Sequence, residues 1–266
     1  MTGGEPEAGS SFFRRAVSDT IRAPRESRRF ARPPLRAATR REKTHAEAEG
    51  AAALNLECLT VGAFEENCYL LSDEKSGEAI LFDPGDEAER ILAAISLKDL
   101  RLTRIINTHG HMDHVGAVGR IQRETGVDFH LHPDDGFLLD RLQESAAAYG
   151  LGPFETPRVT HHPQPGDRFT LGDIAFTAVH MPGHSPGSLG YLFPDRLIGG
   201  DVLFAGSIGR TDLPGADHET LMETLKTKIL TLDDAIVVHP GHGPSTSIRQ
   251  ERAANPFLLA IERQDE

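Results

Sequence analysis

The stretch Thr108-His109-Gly110-His111-Met112-Asp113-His114 constrains this chain more than any other. Four side chains able to bind a transition metal fall within six residues, separated only by a glycine and a methionine. Arg104-Ile105-Ile106-Asn107 before it reads as the end of a buried strand, and Val115, Val118 and Ile121 after it recur at helical spacing up to Gly126. The cluster is therefore expected on a strand-to-helix loop, where backbone turns aim several side chains at one point. Imidazole and carboxylate together suit zinc, and also iron or manganese. An N-cap aspartate or a surface histidine would account for any one of these residues. It does not account for four of them on one tight loop.

The same arrangement recurs downstream. An apolar run at 174–179 leads to Gly183-His184, a second at 196–198 leads to Gly200-Asp201, and a third at 235–238 leads to Gly241-His242-Gly243. Glycine at each place lets the backbone turn sharply and lets a ligand come close. The set His109, His111, Asp113, His114, His184, Asp201 and His242 offers five imidazoles and two carboxylates. That suits two divalent ions sharing one carboxylate, and ions roughly 3.5–4 Å apart can hold a bridging hydroxide and polarise a carbonyl. Asp113 and Asp201 are thus candidates for catalysis as well as for metal binding.

Composition narrows the functional classes. No apolar run among the 266 residues approaches a membrane span, so no membrane role is expected. Only two cysteines are present, which argues against a disulfide framework and fits a reducing, cytoplasmic setting. A net charge of −12 disfavours nucleic acid as a partner. The charge is uneven, since the first 50 residues carry eleven Lys/Arg against seven Asp/Glu. Residues 1–53 lack a sustained apolar period and are expected to form a disordered basic extension. Their arginines, with Phe12, Phe13, Val17 and Ile21, also fit an organelle transit peptide, although Glu5, Glu7, Asp19 and Glu26 do not.

Residues 54–266 read as one domain. Strands come first, then interleaved helices, and the order repeats, which predicts two sheets back to back with helices outside: an α+β fold, an αββα sandwich. Helices are expected from Asp86, from Pro133 to Gly150 and from Asp217 to about Lys228.

From about residue 54 onward the chain resembles metallo-β-lactamase-fold hydrolases of the glyoxalase II (hydroxyacylglutathione hydrolase) type, in their short single-domain branch. The resemblance rests on His-x-His-x-Asp-His, Pro182-Gly183-His184-Ser185, Gly200-Asp201, the run from Gly206 to Gly215, and Pro240-Gly241-His242-Gly243-Pro244 through Asn255-Pro256-Phe257-Leu258. It implies metals at one edge of the two packed sheets. His109, His111 and His184 would hold one ion, Asp113, His114 and His242 the other, with Asp201 bridging. It further implies hydrolysis of a small-molecule thioester such as S-lactoylglutathione, with two divalent ions, zinc first and iron or manganese as alternatives. Because little chain follows His242, the longer members' C-terminal helical domain, which carries much of the glutathione contact, is expected to be absent. Arg210, in the loop after the bridging aspartate, is a candidate for a substrate carboxylate or, equally, for a structural ion pair. Rival readings are a mononuclear iron persulfide dioxygenase of the same fold, using a subset such as His109, His184 and Asp201, and a non-catalytic metal-binding module.

Gly183-His184-Ser185-Pro186-Gly187 also fits the literal Gly-x-Ser-x-Gly of serine hydrolases. That elbow needs a helix after the serine and an N–H on the next residue, and Pro186 has none. His130, His132 and His239 lie outside the motifs and are expected to be structural.

Overall fold

The computed structural model describes residues 54–264, so the basic extension assigned to residues 1–53 lies outside the described residues. The early apolar runs form a meander of β1 (Leu54–Val61), β2 (Glu66–Asp73) and β3 (Glu78–Phe82). β4 (Arg101–Ile106) joins in parallel after α1 (Ala88–Leu97). β5 (Asp128–His130) does the same after α2 (Met112–Val115) and α3 (Val118–Thr125), giving the sheet order β1-β2-β3-β4-β5. After α4 (Gly136–Asp140) and α5 (Leu142–Ala148), the second sheet begins with β6 (Arg168–Leu171), β7 (Ile174–His180), β8 (Leu189–Leu192) and β9 (Arg196–Gly200), all antiparallel. A short ribbon of β10 (Leu203–Phe204) and β11 (Ser207–Ile208) and helix α6 (His218–Thr224) follow. β12 (Val237–Pro240) pairs in parallel with β9, and β13 (Thr246–Ser247) closes the edge before α7 (Ile248–Ala254) and α8 (Pro256–Gln264).

Period-two alternation sorts the strand residues into layers. Leu70, Ala79, Leu81 and Ile105 turn outward onto Ile91 of α1 and Val118 and Ile121 of α3. Their neighbours Leu71, Ile80, Phe82 and Ile106 turn inward and meet Phe176, Leu189 and Tyr191 of the second sheet. Leu197 and Val238 pack on the far side against Leu221, Leu225, Ile248 and Leu258. Helix, sheet, sheet and helix are thereby joined by three apolar layers, as the sequence predicts. Each fully buried Leu, Ile or Phe contributes on the order of 1.5–3 kcal/mol.

The structure departs from the expected helices in detail. The stretch from Pro133 to Gly150 is not one helix but a 3-10 turn, Pro133–Asp135, then α4 and α5, divided at Arg141, whose N–H donates to Leu138 O at 3.2 Å in 3-10 fashion. Its two ends answer to different neighbours: Asp135 is fixed to loops of the opposite sheet, while Leu142 and Ala146 are drawn into the first outer layer. The helix after Asp217 starts as expected, with Asp217 Oδ1 accepting Thr220 N–H at 2.7 Å, but its last turn widens to a π-helix, Leu225–Ile229. Among the described residues no helix is long and apolar enough to cross a membrane.

Tyr191 is fully buried between the sheets, and its hydroxyl donates to the carbonyl of Asn107, directly before the histidine loop, at 3.1 Å. Tyr191→Phe keeps the ring packing and strips that carbonyl of its donor. Urea unfolding should show a loss of about 1–2 kcal/mol. An unchanged midpoint would mean that the carbonyl is satisfied without the hydroxyl.

Candidate metal centre

Strand ends deliver every ligand candidate to one edge of the sandwich. His109 and His111 follow β4, with Asp113 and His114 on α2; His184 follows β7, Asp201 follows β9, and His242 follows β12. One potential ligand atom from each of His109, His111 and His184 lies within 4.8 Å of the others; Asp113, His114 and His242 form a second such group, and Asp83, His109 and His114 a third that shares a residue with each. His111 Nδ1 and His184 Nε2 stand 2.9 Å apart. Asp201 lies between the groups. Its Oδ1 is 3.5 Å from His114 Nε2, and its Oδ2 is 3.5 Å from His184 Nε2 and 3.6 Å from His242 Nε2. All seven residues singled out in the sequence are brought together.

A layer of hydrogen bonds behind them fixes which nitrogen faces the cavity. Asp83, at the end of β3, accepts Thr108 N–H and the Thr108 hydroxyl, both at 2.6 Å, and faces His114 Nδ1 at 3.2 Å. The Thr108 oxygen in turn lies 3.1 Å from His109 Nδ1. His184 Nδ1 donates to Arg210 O at 2.8 Å, and His242 Nδ1 donates to Phe64 O at 3.0 Å. Each of these four rings spends Nδ1 on the protein, so Nε2 is the nitrogen left to face a cation. The His242 loop is held from β2, where Asn67 Nδ2 donates to Pro240 O and Gly243 O, and the Tyr69 hydroxyl donates to Pro240 O at 2.7 Å. Asp83 was legible in the sequence only as a turn before Pro84-Gly85. It shares the strand-end position of the ligands, and that signal could have found it.

Electrostatics agree with a cation site. Burial, followed by the neighbouring imidazoles, drives the pKa of His109 far below its ordinary value, and burial with His184 beside it takes His111 to about 3. Both rings are neutral at physiological pH, the state a metal requires. Burial opposes charge on Asp201, but His114, His184 and His242 outweigh it and hold the carboxyl well below the usual range. Burial likewise opposes charge on His114, yet Asp201 and Asp113 raise its pKa well above normal. His109 Nε2, His111 Nε2, His114 Nε2 and Asp201 Oδ1 are buried without a hydrogen-bond partner. Orphaned buried polar atoms are costly, and here they converge on one place, so the donor set fits divalent cations.

A cavity of about 440 Å³ opens over this floor, walled by Phe64, Met112, Phe204 and Ile208 among others. Arg210 lines it while its Nε and Nη2 donate to the two Asp212 oxygens at 2.7 and 2.8 Å, so the ion pair expected as an alternative is formed at the cavity itself. Ser185 is fully buried and donates to Asp135 Oδ2 at 2.8 Å, with no helix after it. His130 stacks on His161 at 4.5 Å, His132 on His180 at 5.1 Å, and His239 Nδ1 lies 2.9 Å from Ser245 Oγ. None of these three joins the metal groups.

The model of the metallo-beta-lactamase superfamily matches residues 61–242. The chain is 41% identical over 210 residues to hydroxyacylglutathione hydrolase GloC of Haemophilus influenzae, spanning 77% of this chain and 98% of that protein. Among solved structures it resembles the B3 metallo-beta-lactamase BLEG-1, with a TM-score of 0.72 and 36% identity over 77% of this chain and 99% of the other. It also resembles TTHA1623 in a di-iron-bound form, with a TM-score of 0.70 and 39% identity over 76% of this chain and 100% of that one. These likenesses agree with the α+β sandwich described above.

Gly241 offers a direct probe of the floor. A Cβ there would collide with Asp201 Oδ1 and lie 2.6 Å from His114 Cε1. Gly241→Ala should reduce the metal bound per chain, read by elemental analysis, by about half or more. Undiminished metal would show that ions are held elsewhere.

Proposed function

The chain belongs to the metallo-beta-lactamase superfamily, and from that premise we propose that it is a metal-dependent hydrolase acting on small thioesters of the hydroxyacylglutathione kind. The observation that carries the reading is the Asp201 carboxylate lying between two separate ligand groups at the floor of an apolar cavity. His109, His111 and His184 would hold one ion, Asp113, His114 and His242 the other, with zinc as the first choice and iron or manganese as alternatives. Two such ions, when bound, lower the pKa of water toward neutrality and polarise a carbonyl.

The protein's own groups do the rest. Asp201 faces both ligand groups and would hold an ion of each, and Asp113, with Oδ2 3.3 Å from His242 Nε2, would ligate the second ion beside it. Phe64, Met112, Phe204 and Ile208 exclude bulk water around the acyl group. Arg210, its plane fixed by Asp212, presents a cation at the cavity for a carboxylate on the thiol carrier. No side-chain nucleophile is used: Ser185, the only one suggested by a motif, is buried in hydrogen bonds to Asp135 and Ser188. The free thiols of Cys58 and Cys68 and the acidic balance support a cytoplasmic enzyme without a nucleic-acid partner.

The second ligand group favours a two-ion hydrolase over a one-iron dioxygenase. Incubated with S-lactoylglutathione, the protein should release free thiol, consume no oxygen, and lose activity to a chelator. Oxygen uptake with a persulfide substrate, and no thiol release from thioesters, would reverse the assignment.

A further inference from the structure

Asp135 touches none of the seven ligand candidates, yet its fully buried carboxylate gathers donors from both loops that carry the first ligand group. Oδ2 accepts Gly110 N–H at 2.9 Å and the Ser185 hydroxyl at 2.8 Å, and Oδ1 accepts Gly187 N–H at 2.6 Å. Gly110 is the residue between His109 and His111, and Ser185 directly follows His184. Sterics point the same way. A Cβ on Gly187 would lie 2.6 Å from Asp135 Oδ1, and one on Gly110 would lie 3.0 Å from Asp135 O and 3.1 Å from Asp135 Cβ. Neither glycine has a left-handed backbone; a side chain at Gly187 would push the Asp135 carboxylate aside, and one at Gly110 would crowd Asp135. Asp135 accepts no hydrogen bond from Asp113, His114 or His242.

We infer that Asp135 is the positioning residue of the His109–His111–His184 group: its carboxylate clamps two loops from opposite sheets and so sets the cation affinity of that group alone. A carboxylate is required because all three partners are donors, and a charged acceptor makes each bond stronger than a neutral one would. His109 and His111 come from the first sheet and His184 from the second. The Tyr191 hydroxyl donating to Asn107 O and Leu189 N–H donating to Thr108 O tie the sheets just before His109, and the Asp135 carboxylate bonds the two ligand loops themselves. Metal–ligand distances are held to within about 0.2 Å in a well-formed site, so a direct bond between the ligand loops helps to set them. The inference rests on the two-group reading above, and its test separates the two.

The test titrates Co(II) into metal-free full-length wild type, Asp135→Asn, Gly187→Ala and His111→Ala, following the number of ions bound and their visible absorption bands. The amide introduced by Asp135→Asn would turn its NH2 toward one of the backbone or hydroxyl donors, donor against donor. Wild type should bind two ions, and His111→Ala should identify the band of the first group by abolishing it. Asp135→Asn should weaken that same site about tenfold or more, equivalent to about 1.4 kcal/mol, while the other keeps wild-type affinity and spectrum. Gly187→Ala, which displaces the carboxylate without changing its chemistry, should weaken the same site in the same selective way, and it decides the matter if Asp135→Asn does not fold. Equal weakening of both sites, or wild-type binding in both variants, overturns the clamp. Insensitivity of the wild-type stoichiometry to His111→Ala overturns the two-group reading and the clamp with it.

Discussion

The Asp201 carboxylate, buried among three imidazoles from three different strand ends, is the contact on which the rest of this molecule depends. An ionised carboxylate out of water is costly unless it is paired, and Asp201 is held ionised by His114, His184 and His242. Those rings are themselves fixed from behind, by Asp83, by the carbonyl of Arg210 and by the carbonyl of Phe64. Among them His114 Nε2 is buried without a hydrogen-bond partner, as are His109 Nε2 and Asp201 Oδ1, a donor set that fits cations.

The fold supplies what that arrangement needs. Two sheets packed through Phe82, Phe176 and Tyr191 hold β4, β7, β9 and β12 so that their last residues meet at one edge. The turns after β4, β7, β9 and β12, and helix α2 for Asp113 and His114, carry the ligands close to the strand ends. Three structural ties then cross between the sheets near the site: Tyr191 to Asn107, Tyr69 and Asn67 to the His242 loop, and Ser185 to Asp135. Each joins a polar group on one sheet to backbone or carboxylate belonging to the other half.

Much of this was legible beforehand. His109, His111, Asp113 and His114 declare themselves by density, and His184, Asp201 and His242 by glycine beside a strand end. The layer order followed from strands and helices alternating twice. What escaped was the supporting layer. Asp83 and Asp135 read as ordinary turn and helix-start residues, because a carboxylate that accepts backbone N–H groups looks the same in sequence whether it faces solvent or the core. The break at Arg141 escaped because apolar spacing through Leu138, Leu139, Leu142 and Ala146 is continuous across it. The ribbon β10–β11 and strand β13 are two residues each, too short to carry a period. Arg210 was left between a substrate role and an ion pair, and it forms the pair while lining the cavity.

A carboxylate shared by two ligand groups makes a demand that neither group makes alone, and elemental analysis of wild type beside Asp201→Ala and His242→Ala measures it most directly. Wild type should carry about two divalent ions per chain, Asp201→Ala almost none, and His242→Ala about one, because Asp201 faces residues of both groups while His242 belongs to one. A single iron in the wild type, undisturbed by His242→Ala, would contradict the shared two-ion centre.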